Sequence, residues 1–267
     1  MWTAVFVLFP LAIVIYFAFT RQGGAGLEFS LEGFSRLADP MYLGVVLKSF
    51  KIAIVSTLVC IICGYPAAYI LARSRSRAKF IIVILMLLPM WMNFLLRTYS
   101  WLSILENTGI INTVLSSFGL PKVRFLYNEG AVILGTVYNY LPFMIMPIYI
   151  TLLKLDESHL EAAADLGANP FQAFLRVTLP FSVPGILSGV SMVFVPSVTT
   201  FVISQLMGGG KVPLIGDVIE QQFRVVNDWH FGSALSVVIM VIVLIFMYFI
   251  NRGDVESGTG NGGRILR

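Results

Sequence analysis

The sequence predicts an all-α membrane protein of six transmembrane helices, with a short polar helical loop between the fourth and the fifth. Three observations predict it. Of 267 residues, 57% are hydrophobic and 12% charged, where a soluble domain carries roughly 25% charged residues. The mean hydropathy is +0.86. Six apolar runs each offer about the 20 residues that cross the hydrocarbon, and their continuity excludes the alternating segments of about ten residues that build a membrane barrel.

The elements follow in chain order. The first run, about 2–20, has no basic residue before Phe6 and no small-x-small cleavage pattern near 20–22, so it reads as a retained span rather than a signal peptide. The second, about 43–72, contains Cys60 and Cys63 one turn apart with no further Cys or His beside them, which makes them packing residues rather than metal ligands. Arg73, Arg75, Arg77 and Lys79 then crowd a short link without an acid, the pattern that holds a loop in the cytoplasm. That places both termini and the 155–181 loop in the cytoplasm, and 21–42, 103–130 and 207–231 outside.

The third run, about 80–102, carries Pro89, Asn93, Arg97, Tyr99 and Trp101; after it, Ile110, Ile111, Val114, Leu115 and Phe118 recur at helical spacing, predicting a short interfacial helix over 107–118. The fourth, about 131–154, places Tyr138, Asn139 and Tyr140 before Pro142. The fifth, about 182–206, places Ser197, Thr199, Thr200, Ser204 and Gln205 after Pro196. Polar groups inside a bilayer are costly unless they face a cavity or a partner, and each proline can bend its helix. These three spans therefore read as the lining of a path, although Ser, Thr and Asn also join helices by hydrogen bonds, and Trp91, Trp101 and Trp229 equally suit interface anchors. In the outer segment that follows, Asp217 and Glu220 stand three apart, with Asp228 and Trp229 beyond. Carboxylates beside aromatic rings suit an organic cation; three acids in one loop equally suit a solvated rim. The sixth run, about 232–251, completes one transmembrane domain over 1–251. The tail 252–267, with Ser257 to Gly263 reading SGTGNGG, is expected to be unstructured.

Several function classes are excluded. Gly208-Gly209-Gly210-Lys211 lacks the spacing and the Ser/Thr of a phosphate-binding loop, and the chain contains no GxxxxGK[ST] or HExxH. His159 and His230 are single and far apart, so no metal site is expected. A net charge of +4 is spread over several loops, which argues for lipid orientation rather than nucleic acid.

The 155–181 loop is the most specific segment. Ser158 with Glu161 fits a capping box, predicting a helix from about His159. Gly167 ends it, and Asn169-Pro170 starts another. The spacing Glu161-Ala162-Ala163, three residues, Gly167, nine residues, Val177-Thr178-Leu179-Pro180 resembles the EAA loop of bacterial ATP-binding-cassette importer permeases, with valine in place of an isoleucine. The resemblance implies that this loop docks on an ATPase subunit through Glu157, Glu161, Ala162, Ala163, Asp165, Gly167, Leu179 and Pro180. Further likeness lies in Val193 to Ser197, Phe201 to Gly209, Leu214 to Ile219, Gln222-Phe223, Asp228-Trp229 and Phe231-Gly232, which together resemble the first of two permease types in spermidine/putrescine importers. It implies a location in the bacterial cytoplasmic membrane, a second permease subunit, an ATPase dimer holding ATP and Mg, an extracytoplasmic polyamine-binding protein, and neither catalysis nor a cofactor on this chain. The substrate path would then use Asn93, Arg97, Tyr99, Trp101, Tyr138, Asn139, Ser204, Gln205, Asp217 and Glu220. The rival readings are an ion-coupled secondary carrier, which usually shows internal repeats and a buried acid, and an importer permease for another small solute.

Overall fold

The computed structural model describes residues 2, 4–23, 26–74 and 79–259. Arg75 and Arg77 of the basic link lie outside them. A π-helical turn, Ala4–Leu8, leads into α1 (Phe9–Ala18) and a two-stranded antiparallel hairpin, β1 (Thr20–Gly23) and β2 (Gly26–Phe29), with Thr20 opposite Phe29. The helices after it are α2 (Glu32–Arg36), α3 (Pro40–Arg73), α4 (Lys79–Trp91), α5 (Phe94–Leu105), α6 (Ile110–Ser117) and α7 (Glu129–Leu153). The remainder are α8 (Glu157–Asp165), α9 (Pro170–Ala173), α10 (Leu179–Thr199), α11 (Val202–Gly208), α12 (Ile215–Gln221) and α13 (Trp229–Thr259). The fold is helical as expected. The hairpin is an addition that the hydropathy pattern did not announce.

Four helices among the described residues are long and apolar enough to cross a membrane: Pro40–Arg73, Glu129–Leu153, Pro170–Thr199 and Trp229–Ile250. A fifth crossing counts only if α4 and Phe94–Ser117 are taken as one bent span, and Val5–Ala18 is shorter than the others. Within α3, residues 52–72 carry no charge, and those 21 residues rise about 31 Å, the thickness of the hydrocarbon. The preceding turns carry charge. There Lys48 and Lys51 both reach Glu129 at the start of α7, at 3.5 and 2.9 Å.

Two spans expected to be continuous are broken. The third bends by 98° between α4 and the stretch Phe94–Ser117, because Pro89 cannot donate and Asn93 caps the new helix, its side chain accepting from Leu95 N–H at 2.9 Å. The fifth stops at Thr199; Thr200 turns extended, and α11 restarts at Val202. By contrast, α7 runs unbroken through Pro142 and Pro147, so proline alone does not decide a break. Gly185 and Gly189 of α10 lie against α7: a Cβ on Gly185 would stand 2.9 Å from Pro147 O, and one on Gly189 2.7 Å from Met144 Sδ. This is the small-xxx-small contact of membrane helices.

The core has three principal clusters: two that share α10, and a third that packs Ile52 on Val132, Ile203, Met207 and Leu214. Of the first two, one packs Cys60, Tyr65, Ala68 and Leu71 of α3 on Met144, Ile148 and Leu152 of α7; the other packs Phe194 and Val198 on Phe231, Leu235 and Ile239 of α13. Cys60 is therefore a packing residue as expected, while Cys63 is exposed. The short helix expected over 107–118 forms as α6. The tail departs from expectation, since α13 continues to Thr259; residues 260–267 lie outside the described ones.

Candidate functional site

The polar loop is built from its caps outward. Asp156, rather than Ser158, caps α8: its carboxylate accepts from Ser158 N–H at 3.0 Å, a bond that holds the Asp156 carboxyl below its ordinary range. The helix therefore begins at Glu157, two residues before the expected start, because a carboxylate at the extended position outcompetes a hydroxyl one residue into the helix. At the other end Ala168 N–H bonds Ala163 O at 3.0 Å and Gly167 N–H bonds Ala164 O at 2.8 Å, with Gly167 at φ +79°. This is a Schellman stop. Asn169 and Gln172 close a reciprocal capping box on α9 at 2.8 and 3.1 Å.

Glu157, Glu161, Ala162, Asp165 and Gly167 all lie on the exposed part of this corner, Ala163 is half-buried, and Leu166 and Phe171 stand 90% and 68% exposed beside them. Past α9 the chain winds one π-helical turn, Phe174–Thr178, in which Leu179 N–H donates to Phe174 O five residues back. Leu179 and Pro180 then begin α10. The spaced pattern read in the sequence thus forms a helix, a left-handed stop, a second helix start and a π turn into a span.

The polar residues of the spans divide into two groups. At the bend of the third span, Asn93 is spent as the α5 cap. Arg97, only 7% exposed, reaches back to donate to Pro89 O at 2.9 Å, the same carbonyl that accepts Met92 N–H. The Tyr140 side chain lies beside Thr200 and in the field of Arg97, so the bend of the third span faces the break of the fifth. Trp101 meets Tyr138 edge to face at 5.0 Å. Tyr99 is exposed, and Asn139 is buried with its amide donating to Gly135 O at 2.8 Å and its Oδ1 without a hydrogen-bond partner.

The second group joins α11 to α12. Asp217 Oδ2 accepts from Leu214 N–H at 2.7 Å, while Asp217 Oδ1 is buried and has no hydrogen-bond partner. The Ser204 and Gln205 side chains lie beside it. Gln205 Nε2 also donates to Glu220 at 3.3 Å, and Glu220 in turn accepts from Arg224 at 2.8 Å. Burial raises the Asp217 carboxyl above the ordinary aspartate range despite those neighbours. Asp228 is not in this group: it pairs with Arg36 at 2.8 Å. Among the described residues no three metal-ligating side chains gather.

Residues 61–253 match the family of binding-protein-dependent transport system inner membrane components. The chain belongs to that family. It is 40% identical over 255 residues to the spermidine/putrescine transport system permease protein PotB of Haemophilus influenzae, covering 93% of this chain and 89% of the relative. It is 38% identical over 247 residues to the protein of the same name in Escherichia coli, covering 91% and 90%. Among solved structures, the permease resembles a chain of a bacterial ABC transporter involved in import of the acidic polysaccharide alginate, with TM-score 0.80 and 18% identity over 100% of this chain and 92% of that one. That likeness shows the fold. Family and fold together place the permease among ABC importer membrane subunits, in place of the ion-coupled carrier. Sequence reading missed Asp156 as the cap, Leu166 and Phe171 as exposed apolar points and Phe174 at the π turn. Only the last three carried a signal, as apolar residues on a loop otherwise rich in charge.

Proposed function

We propose that the permease is one of two membrane subunits of an ATP-driven polyamine importer, with spermidine or putrescine delivered by an extracytoplasmic binding protein. The observation that carries this is the 38–40% identity to the spermidine/putrescine permeases over nine-tenths of the chain. The basic link at Arg73 to Lys79 supports a cytoplasmic position for the α8–α9 corner and for both termini. That corner is the docking element for a separate ATPase dimer, which binds ATP and Mg. Glu157, Glu161 and Asp165 stack like charges at a spacing of four, a repulsion that a basic partner surface relieves; Leu166 and Phe171 enter an apolar groove, and Ala162 and Ala163 permit close approach, with Gly167, Leu179 and Pro180 fixing the corner's shape.

On the substrate side, Asp217 and Glu220, with Ser204 and Gln205, offer acceptors to an ammonium group, and Tyr99, Trp101, Tyr138 and Asn139 line the path toward them. Arg97 would repel a polycation, so together with Asn93 it shapes the bend rather than touching substrate. Closure of the ATPases draws the two coupling corners together and opens the bundle outward; hydrolysis resets it. The test is ATP hydrolysis and uptake in liposomes holding the permease with its second permease and ATPase. Stimulation that requires both the binding protein and spermidine supports the proposal; a permease that purifies alone and moves substrate on an ion gradient overturns it.

A further inference from the structure

The Phe174 ring of the corner meets two aromatic rings of the bundle. It meets Tyr65 edge-on at 5.8 Å and Tyr69 edge-on at 5.7 Å, two residues one turn apart on α3 that bracket Pro66. Proline removes a backbone hydrogen bond from the preceding turn and so marks where α3 can flex. Tyr65 is itself tied to α10, its hydroxyl 3.0 Å from Ser182 Oγ in a buried contact. Thr178, at the end of the π turn, is likewise buried.

We infer that Phe174 is the positioning residue that carries movement of the coupling corner into α3 and α10 at this joint. The inference rests on the coupling function proposed above. Its physical basis is the π turn that starts at Phe174. A π turn holds one residue more than an α turn, and one residue is worth about 100° of helical rotation. Converting Phe174–Thr178 between the two windings rotates the corner against α10, and the Phe174 ring, held between Tyr65 and Tyr69, passes that rotation to α3 at its proline. Leu166 and Phe171 face outward and serve docking; Phe174 faces inward and serves transmission.

The experiment uses the whole transporter in liposomes and compares the wild-type permease with Phe174→Ala, Phe174→Leu and Tyr65→Phe. Phe174→Ala should keep the ATPase bound and basal hydrolysis unchanged, while the stimulation by binding protein and spermidine falls about ten-fold, within the range of a typical coupling free energy. Phe174→Leu, which refills the space without the ring edges, should recover part of that ratio, and Tyr65→Phe should lower it less. A merely structural residue would lower ATPase capture and basal rate together, and that result overturns the joint, as does full stimulation in Phe174→Ala. A wild-type complex that lacks any stimulation overturns the proposed function first, and the joint with it.

Discussion

At Gly216 the backbone of α12 lies directly on the broken end of α10. A Cβ there would overlap the Thr199 carbonyl oxygen and stand 2.8 Å from that of Thr200. Neither carbonyl can swing aside as a side chain would, so Gly216→Ala should cost about 3 kcal/mol, the upper range for overpacking. Gly167 is the opposite case, with open space around it but a left-handed backbone; Gly167→Ala should cost about 1–2 kcal/mol from backbone strain alone. Apparent melting temperatures in detergent should rank wild type above Gly167→Ala above Gly216→Ala. Asp217 gives a pH signature. Its folded-state carboxyl holds its proton more tightly than the unfolded one, so the stability it permits at acid pH is lost as pH rises through the carboxylate range toward the folded value. Asp217→Asn keeps an acceptor for Leu214 N–H and removes that loss. It should melt no lower than wild type at neutral pH, with a flatter acid limb, while uptake of spermidine falls.

The bent third span depends on one cap. Asn93→Ala leaves the first N–H groups of α5 unsatisfied beside the bend and should cost about 1 kcal/mol, whereas Asn93→Asp keeps the acceptor and should cost less than half of that; thermal unfolding of both variants checks it. The contrast among the prolines is instructive at this scale. Met92 and Asn93 follow Pro89 and end the helix; Thr199 and Thr200 follow Pro196 and end another, while the apolar residues that follow Pro142 and Pro147 continue α7. Flanking residues that can cap or extend the chain decide whether a proline breaks a span. Closely packed α10 also holds α7 on the other side, and Gly189→Leu should separate the pair and abolish a stable bundle, read as loss of the monodisperse protein peak in detergent.

At the scale of the molecule, the permease has two differently built ends. The α8–α9 corner is charged with apolar points, and under the proposed docking role Leu166→Glu with Phe171→Glu should reduce capture of the ATPase at least ten-fold without lowering the permease's melting temperature, since both side chains are exposed. Co-purification against a thermal melt separates these outcomes. At the opposite end, the hairpin and α2 are pinned to α13 by Arg36, which pairs with Asp228 and stacks on the Phe231 ring at 4.0 Å. This fastens α1 and the hairpin to the last helix.

The class of fold and the helix–stop–helix form of the α8–α9 corner were legible along the chain, because hydropathy acts over about 20 contiguous residues and caps act over four. The long apolar runs of α3, α7 and α13 and the Gly167 and Asn169 signals were all legible for that reason. The choice of Asp156 over Ser158 was not, since two capping residues two positions apart compete and geometry picks the winner. Tertiary structure alone decided where the third and fifth spans break, that Arg97 turns back to Pro89, that Asp217 meets Gln205 across a loop, and that Phe174 lodges between Tyr65 and Tyr69. Each of these joins residues distant along the chain, and burial beside a particular neighbour is fixed only when the helices pack.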